Sequence, residues 1–191
     1  MNSIGILAAY LKRNSDLKED ETEIICSYFR EESLAREEKL CRDGDRYKKI
    51  AFVAKGILRV YVTDNNGEEI VKNFVEVENF FSDTESFDKN SPSVLNVSAV
   101  TDSILLTLSK PDADILADRM PQWAYLMKMG TMQALNDMIR KQNFLRIGNS
   151  IDKYNYFVKN FPVLAQQVPL KYIASFLSIT QSSLSRIRKQ G

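Results

Sequence analysis

Residues 168–189 read VPLKYIASFLSITQSSLSRIRK. This stretch predicts a helix that begins at Pro169, because proline suits the first position of a helix. Ser178 and Ile179 would form a short turn, and Thr180 is a good N-cap for a second helix. Two helices joined by so short a turn are typical of a helix-turn-helix, in which the second helix enters the major groove of DNA.

The apolar positions of this stretch support two packed helices. Ile173 and Phe176 give the first helix an apolar side, and Leu184 and Ile187 would bury the second helix. The other face of the second helix is polar and basic; it carries Gln181, Ser182, Ser185, Arg186 and Lys189. An ordinary helical hairpin with a hydrated outer face would show the same pattern, so both interpretations stay open at this point.

The charge of the chain is distributed unevenly. The net charge is +1, but residues 140–191 hold nine Lys or Arg and one acid, Asp152, which gives +8. Residues 1–139 hold seventeen bases and twenty-four acids, which gives −7. A basic segment beside an acidic body is typical of a protein that binds nucleic acid. Chance variation of surface charge is the weaker explanation for so large a difference.

Short β-rich runs precede the basic segment and follow a helical start over residues 3–30. The predicted strands are Ile50–Ala54, Ile57–Thr63, Ile70–Val75, Val94–Val100 and Ile104–Leu108. Asp64-Asn65-Asn66-Gly67 separates two of them and is a strong hairpin signal. Regularly spaced short strands predict an antiparallel sandwich or barrel.

A long helix is predicted from Pro121 to about Phe144. It has two apolar stripes on different sides. One stripe consists of Trp123, Met127, Ala134 and Met138, and the other of Tyr125, Met129, Met132 and Ile139. A helix with two apolar sides usually has two packing partners, here the β-domain and a second copy of the chain. Burial within a single chain is the alternative. Gly148-Asn149-Ser150 then predicts a break before a short helix over residues 150–160.

The composition argues against several classes of protein. There is no histidine, which removes the commonest general base, transition-metal ligand and haem ligand. Cys26 and Cys41 are too few and too far apart for a zinc or iron-sulfur motif. No apolar run is long enough for a membrane span, and the first residues lack the basic region of a signal peptide. We therefore expect a cytoplasmic binding protein without metal or cofactor, not an enzyme.

A β-rich module, a long helix and a C-terminal helix-turn-helix together resemble the Crp/Fnr family of cyclic-AMP receptor protein-like and fumarate-nitrate-type regulators. The sequence is most similar to Bacteroidetes-type members, and most specifically over residues 168–189, where members show similar "PLKYIASxLxIxxxxLSRIR" text. The resemblance implies an α+β chain: an antiparallel jelly roll of the cyclic-nucleotide-binding type over residues 1–120, a dimerisation helix and hinge over 121–147, and a DNA-binding head over 148–191.

The resemblance also implies roles for individual residues. Gln181, Ser182 and Arg186 would read base edges, and the dimer helix would contribute the stripe that contains Met132. Phosphate contacts are expected from residues around the recognition helix: Lys171, Thr180, Ser183, Arg188 and Lys189. The implied partners are double-stranded DNA, a second copy of the chain and RNA polymerase.

The effector pocket departs from the family pattern. Nucleotide-binding members hold the ribose and the cyclic phosphate with a Gly-Glu pair and a downstream arginine pair. Ser82 and Asp83 stand in place of the first pair, and Ser93 and Val94 in place of the second. A cyclic phosphate needs a positive partner, and acids surround this region. The sequence thus predicts a degenerate pocket without the usual contacts for cyclic AMP, and leaves the effector open.

These patterns favour a homodimeric DNA-binding transcription regulator that recognises a pseudo-palindromic site. The alternative is a ligand-sensing or protein-interaction module whose helix-turn-helix no longer contacts DNA. Salt-dependent binding to mixed genomic DNA would distinguish the two.

Overall fold

A computed structural model describes the backbone of residues 2–190 and the side chains of residues 2–145 and 148–189. The expected domain ends at residues 1 and 191 lie outside this range. The helices are α1 (Ser3–Asn14), α2 (Glu19–Ser27), α3 (Thr84–Lys89), α4 (Lys110–Arg119), α5 (Pro121–Ile147), α6 (Ser150–Asn160), α7 (Pro162–Gln167), α8 (Leu170–Leu177) and α9 (Gln181–Gln190). The strands are β1 (Arg30–Leu34), β2 (Lys39–Cys41), β3 (Lys49–Lys55), β4 (Leu58–Thr63), β5 (Glu69–Val75), β6 (Phe80–Phe81), β7 (Asn96–Ala99) and β8 (Ser103–Ser109).

The strands form two four-stranded sheets in which every pair is antiparallel. One sheet has the order β1-β8-β3-β6 and the other β2-β7-β4-β5. Strands that are far apart in sequence lie side by side, as in the pair of β1 and β8. The architecture is the predicted jelly roll, followed by a long helix and C-terminal helices.

Strand β3 is buried on both faces. Ala51 and Val53 point between the two sheets, whereas Phe52 and Ala54 pack against the helices α1, α2, α4 and α5. Successive side chains of a strand point to opposite faces, so a strand covered on both sides reads as a continuous apolar run. This explains the unbroken apolar segment that identified the strand in the sequence.

The second sheet is covered as well. In β4, Leu58 and Val60 belong to the core between the sheets, while Tyr61 belongs to a core shared with α6, α8 and α9. Four layers result: the N-terminal helices, the first sheet, the second sheet and the C-terminal helices. The helix-turn-helix therefore packs directly on the jelly roll.

Gly56 makes the tight turn between β3 and β4. Its backbone φ is +92°, a conformation that residues other than glycine rarely adopt. A Cβ atom there would lie 2.8 Å from the carbonyl oxygen of Asp102 in the neighbouring turn. The position therefore requires glycine for both conformation and space.

The long helix α5 has 27 residues and is buried only near its start. Trp123 is 1% exposed and Leu126 6% exposed, whereas residues 128–140 are all exposed. The stripe that was expected to pack on the chain's own β-domain does so only at Trp123 and Met127, because Met138 is 49% exposed. Among the described helices, α5 included, none combines the length and hydropathy that a bilayer crossing requires.

Candidate nucleic-acid interface and effector pocket

The helix-turn-helix is formed by α8, a turn at Ser178 and α9. Ser178 adopts a left-handed conformation with φ 54°, and the amide of Ile179 donates to the carbonyl oxygen of Ala174 at 3.0 Å. Thr180 Oγ1 accepts from the amide of Ser183 at 3.2 Å, which is the N-cap contact that the sequence predicts. The local hydrogen bonds thus fix the angle between the two helices.

Helix α9 has one buried side and one exposed side. Leu184 is 0% exposed and anchors the helix on α6 and α8. Gln181, Ser182 and Arg186 are exposed on the other side. At about 100° per residue, Ser182 lies near the centre of the exposed face, and Gln181 and Arg186 flank it about 140° apart. The three residues expected to read bases share one solvent-facing surface.

The residues expected to contact phosphates lie around this surface. Lys171, Arg188 and Lys189 are exposed, while Thr180 and Ser183 join their hydroxyl groups at 2.8 Å. Lys189 is seven residues after Ser182, so it lies on nearly the same line of the helix, about 10 Å further along. Basic side chains thus flank the polar face at its C-terminal end.

The electrostatics of α9 suit a polyanion. Its first turn, residues 181–184, carries no acid, and its last turn holds Arg188 and Lys189. The N-terminus of a helix carries a partial positive charge that favours anions. Together with the excess of eight positive charges over residues 140–191, this makes α9 the most suitable surface for a nucleic acid.

The effector region lies between β6, α3 and β7. Asp83 is the N-cap of α3, and its Oδ1 accepts from the amide of Ser86 at 3.2 Å. A carboxylate therefore already uses a backbone donor and would repel a phosphate. Ser93 is 2% exposed and tied to its own loop, since its Oγ accepts from the amide of Leu95 at 3.0 Å. Val94 is 64% exposed and supplies no polar group.

Ser82 itself supplies no cation to this region. Ser82 Oγ donates to the carbonyl oxygen of Lys49 at 3.3 Å. Arg46, which the sequence analysis did not consider, is exposed nearby and donates through Nε to the carbonyl oxygen of Asn90 at 3.1 Å. One of its guanidinium donors is thus used by the loop that follows α3.

Several buried polar atoms in the same region have no hydrogen-bond partner among the described residues. These are the hydroxyl groups of Tyr47 and Ser86 and Oδ2 of Asp83. Burial raises the pKa of Tyr47, with the charges of Glu32 and Cys41 acting in the same direction. The buried part of this region is therefore polar, and the one carboxylate oxygen among these atoms is that of Asp83.

The stripe expected at the dimer interface is exposed in the single chain. Tyr125 is 65% exposed, Met129 45%, Met132 52% and Ile139 47%. Large apolar side chains at this spacing form a continuous patch along one side of α5. Monomeric proteins rarely expose such patches without a partner.

Sequence reasoning missed the residues that join the head to the jelly roll. Arg59 in β4 and Ser175 in α8 contact the opposite domain, as described below. Arg59 lay within an apolar strand pattern, and Ser175 was one of several serines in the motif. No signal within the sequence indicates that these two segments meet.

The fold defines a class: proteins in which a jelly roll is joined by a long helix to a helix-turn-helix. Residues 31–119 match the family model of the cyclic nucleotide-binding domain. No curated protein matches the sequence significantly.

Several solved bacterial structures are similar to most of the chain. FixK2 from Bradyrhizobium japonicum superimposes with a TM-score of 0.75 at 16% identity over 85% of this chain and 83% of that one. The c-di-GMP-responsive global regulator CLP from Xanthomonas campestris gives 0.71 at 15% identity over 91% of both chains. Catabolite activator protein from Thermus thermophilus gives 0.60 at 19% identity over 95% of this chain and 85% of that one. At these identities the similarities establish the fold alone: a jelly roll, a long helix and C-terminal helices arranged as in these structures.

Proposed function

We propose that this protein is a DNA-binding transcription regulator of the Crp/Fnr type. The observation that carries the proposal is the exposed polar face of α9, with Gln181, Ser182 and Arg186 held outward by a buried Leu184. Side chains of this kind, presented by a helix of a helix-turn-helix, can reach base edges in the major groove. Lys171, Thr180, Ser183, Arg188 and Lys189 would contact phosphates and set affinity, not sequence preference.

The protein would act as a homodimer through α5. The apolar stripe with Tyr125, Met129, Met132 and Ile139 supports a second copy as the partner, since a twofold axis along the helix brings the same stripe of both chains together. Two heads would then recognise a pseudo-palindrome with half-sites about 34 Å apart. The division into a sensor domain (1–120), a dimer helix and hinge (121–147) and a DNA-binding head (148–191) belongs to this proposal.

Cyclic AMP would not be the effector. Asp83 places a carboxylate at the start of α3 and takes the amide of Ser86, and Ser93 is bonded within its own loop, so the positions of the usual phosphate contacts supply no cation. The effector, if one binds, would be less anionic. The protein would work in the cytoplasm as a Bacteroidetes-type regulator, beside RNA polymerase, and without enzymatic activity.

Selection of bound sequences from a random duplex pool tests binding, specificity and symmetry together. We expect purified protein to enrich a twofold-related motif whose binding weakens steeply with salt. The Arg186→Ala variant is the matched control and should enrich a less defined motif. If no duplex is enriched at low salt, the chain is instead a ligand-sensing or protein-interaction module, and the proposed function is wrong.

A further inference from the structure

Arg59 lies at the junction between the jelly roll and the helix-turn-helix. It is 3% exposed, and its guanidinium carbon is 4.1 Å from the ring centroid of Tyr61 in β4 and 4.0 Å from that of Tyr172 in α8. The guanidinium pairs with Glu69 and lies 3.6 Å from Glu37, and the hydroxyl of Tyr172 donates to Glu37 at 2.9 Å. One buried cation thus connects carboxylates of the jelly roll with an aromatic ring of the head.

The charge on Arg59 is retained despite burial. Burial lowers the pKa of Arg59, but the hydrogen bond to Glu69 and the neighbouring tyrosines raise it by more. The same hydrogen bond lowers the pKa of Glu69. A buried charge needs these partners, so separating the head from the sheet would leave Arg59 without Tyr172.

Ser175 caps the free edge of β5. Strand β5 is the last of its sheet, so its outward backbone groups have no partner strand. Ser175 Oγ accepts from the amide of Val71 at 3.0 Å and donates to the carbonyl oxygen of Glu69 at 3.1 Å. A single side chain of the recognition motif therefore satisfies both an orphan donor and an orphan acceptor of the jelly roll.

Phe176 and Lys141 complete the junction. Phe176 packs on Phe74 of β5 with ring centroids 5.2 Å apart. Lys141 of α5 donates to the carbonyl oxygen of Lys72, and its Nζ lies 3.7 Å from the centroid of Phe176. The long helix α5, the edge strand β5 and the helix α8 therefore meet at one point.

The docked arrangement leaves the recognition surface open. Residues of α8 make the contacts with the sheet, while Gln181, Ser182 and Arg186 of α9 stay exposed. The contacts are apolar, aromatic and hydrogen-bonded. A head held in this way keeps a fixed direction relative to the dimer helix.

We propose that docking of α8 on β4 and β5, through Arg59–Tyr172 and Ser175, is the device that orients the head for binding two half-sites. The inference rests on the proposed DNA-binding function and adds the residues that regulate it. A freely hinged head can still bind one half-site. A dimer with freely hinged heads binds two half-sites with lower affinity, because each head must first be ordered in the correct orientation.

The test uses the full chain and a double variant, Arg59→Gln with Ser175→Ala. Neither residue is among those assigned to DNA contact. Amide hydrogen exchange at Val71 is read in the Arg59→Gln single variant, where Ser175 is still present to accept from the Val71 amide, so that faster exchange there reports undocking. We expect faster exchange at Val71 and about tenfold weaker binding to a palindromic duplex. Binding to a single half-site should stay within about twofold of the wild type.

Control variants separate docking from damage to the fold. Arg42→Gln removes the same charge from an exposed arginine of the jelly roll and should leave exchange and both affinities unchanged. Tyr172→Phe removes only the hydrogen bond to Glu37, keeps the ring over Arg59, and should give a partial effect of the same sign. It serves as the test if the double variant does not fold.

Three results would overturn the inference. They are unchanged exchange at Val71, undocking without any change in the ratio of palindrome to half-site affinity, and tighter palindrome binding by the variants. A wild-type protein that binds no duplex would instead refute the proposed function. The exchange measurement distinguishes that case, because it requires no DNA.

Discussion

Arg186 and Lys189 are both exposed on α9, yet we expect different consequences from their removal. Arg186 can form two hydrogen bonds with a guanine, so Arg186→Ala should cost about 1–3 kcal/mol on the preferred site and relax the choice at one base pair per half-site. Lys189→Ala should weaken binding to all sequences about equally and reduce the salt dependence. Affinities for a panel of single-base variants of the site measure both. An unchanged preference after Arg186→Ala would show that the recognition face is assigned incorrectly.

Lys141 makes the docked state depend on pH. Burial, followed by the charge of Lys72, lowers the pKa of Lys141 from 10.5 to about 7 in the docked chain. Docking therefore favours the neutral amine. The penalty on docking is complete below pH 7 and is relieved as the pH rises from about 7 to 10.5. Phe176 on α8 and Asn73 on β5 face Lys141 without charge.

The stability of the whole chain should follow this dependence. The free energy of unfolding should rise between pH 7 and 9 by less than about 1 kcal/mol per unit, because the amine keeps some solvent contact. Lys141→Met keeps an apolar side chain over Phe176 but has no amine to titrate. The rise in the free energy of unfolding between pH 7 and 9 should therefore be smaller in this variant. Chemical denaturation of both proteins at several pH values measures it. Parallel curves for the two proteins would contradict the assignment to Lys141.

Gly56 offers a direct test of backbone strain. Gly56→Ala should destabilise the jelly roll by about 1–3 kcal/mol or more, because it combines positive φ with a contact on the next turn. Gly67 has φ +83° but open space around it, so Gly67→Ala is the matched control and should cost less. Thermal unfolding compares the two. Equal losses would mean that conformation alone, and not space, excludes a side chain at Gly56.

At the scale of elements, α5 should decide the oligomeric state. Met132→Asp places a charge in the apolar stripe and should convert a dimer to monomers at micromolar concentration, since burial of the stripe contributes about 25 cal/mol per Å² of apolar surface. Ala134→Asp is the control, because Ala134 lies on the opposite side of the helix from Tyr125. Sedimentation velocity measures both. A wild-type monomer, or equal dissociation by both variants, would contradict the proposed interface.

The sequence predicted elements well where their pattern is local. The hairpin at residues 64–67 joins β4 and β5, Asn149 caps α6 through the amides of Ile151 and Asp152, and α8 and α9 have the expected bounds within one residue. Strand β1, with the sequence REESL, is polar and was not among the predicted strands; its first residue, Arg30, was included in the helical start. Its pairing with β8 spans about seventy residues, so no local periodicity reveals it.

At the scale of the whole molecule, we expect cyclic AMP and cyclic GMP to have little effect. Asp83 places a carboxylate at the start of α3, and Ser93 and Val94 supply no cation where the usual phosphate partner would stand. Calorimetry should show no micromolar binding of either nucleotide, and neither should change affinity for DNA. A nucleotide-responsive regulator of the same fold serves as the positive control. Micromolar binding would show that the pocket uses contacts other than the usual ones.

The contacts between the DNA-binding head and the jelly roll could not be predicted from the sequence. The candidate base-reading residues follow from one contiguous motif, but Arg59 and Tyr172 are more than a hundred positions apart and meet only in the folded chain. Helix periodicity explains why Tyr172 lies on the buried, apolar side of α8. Strand alternation explains why Arg59 points away from the core between the two sheets. Neither pattern specifies which surface covers the other.

The cap that Ser175 places on β5 also bears on solubility. An exposed strand edge is a template for pairing with another chain, and β5 combines such an edge with Ile70, which is 36% exposed. A chain whose head has detached would present unpaired amides and carbonyls to its neighbours. We expect Ser175→Ala to form thioflavin-positive aggregates sooner than the wild type at high concentration. The same residue would thus protect the protein from fibril formation whenever it is not on DNA.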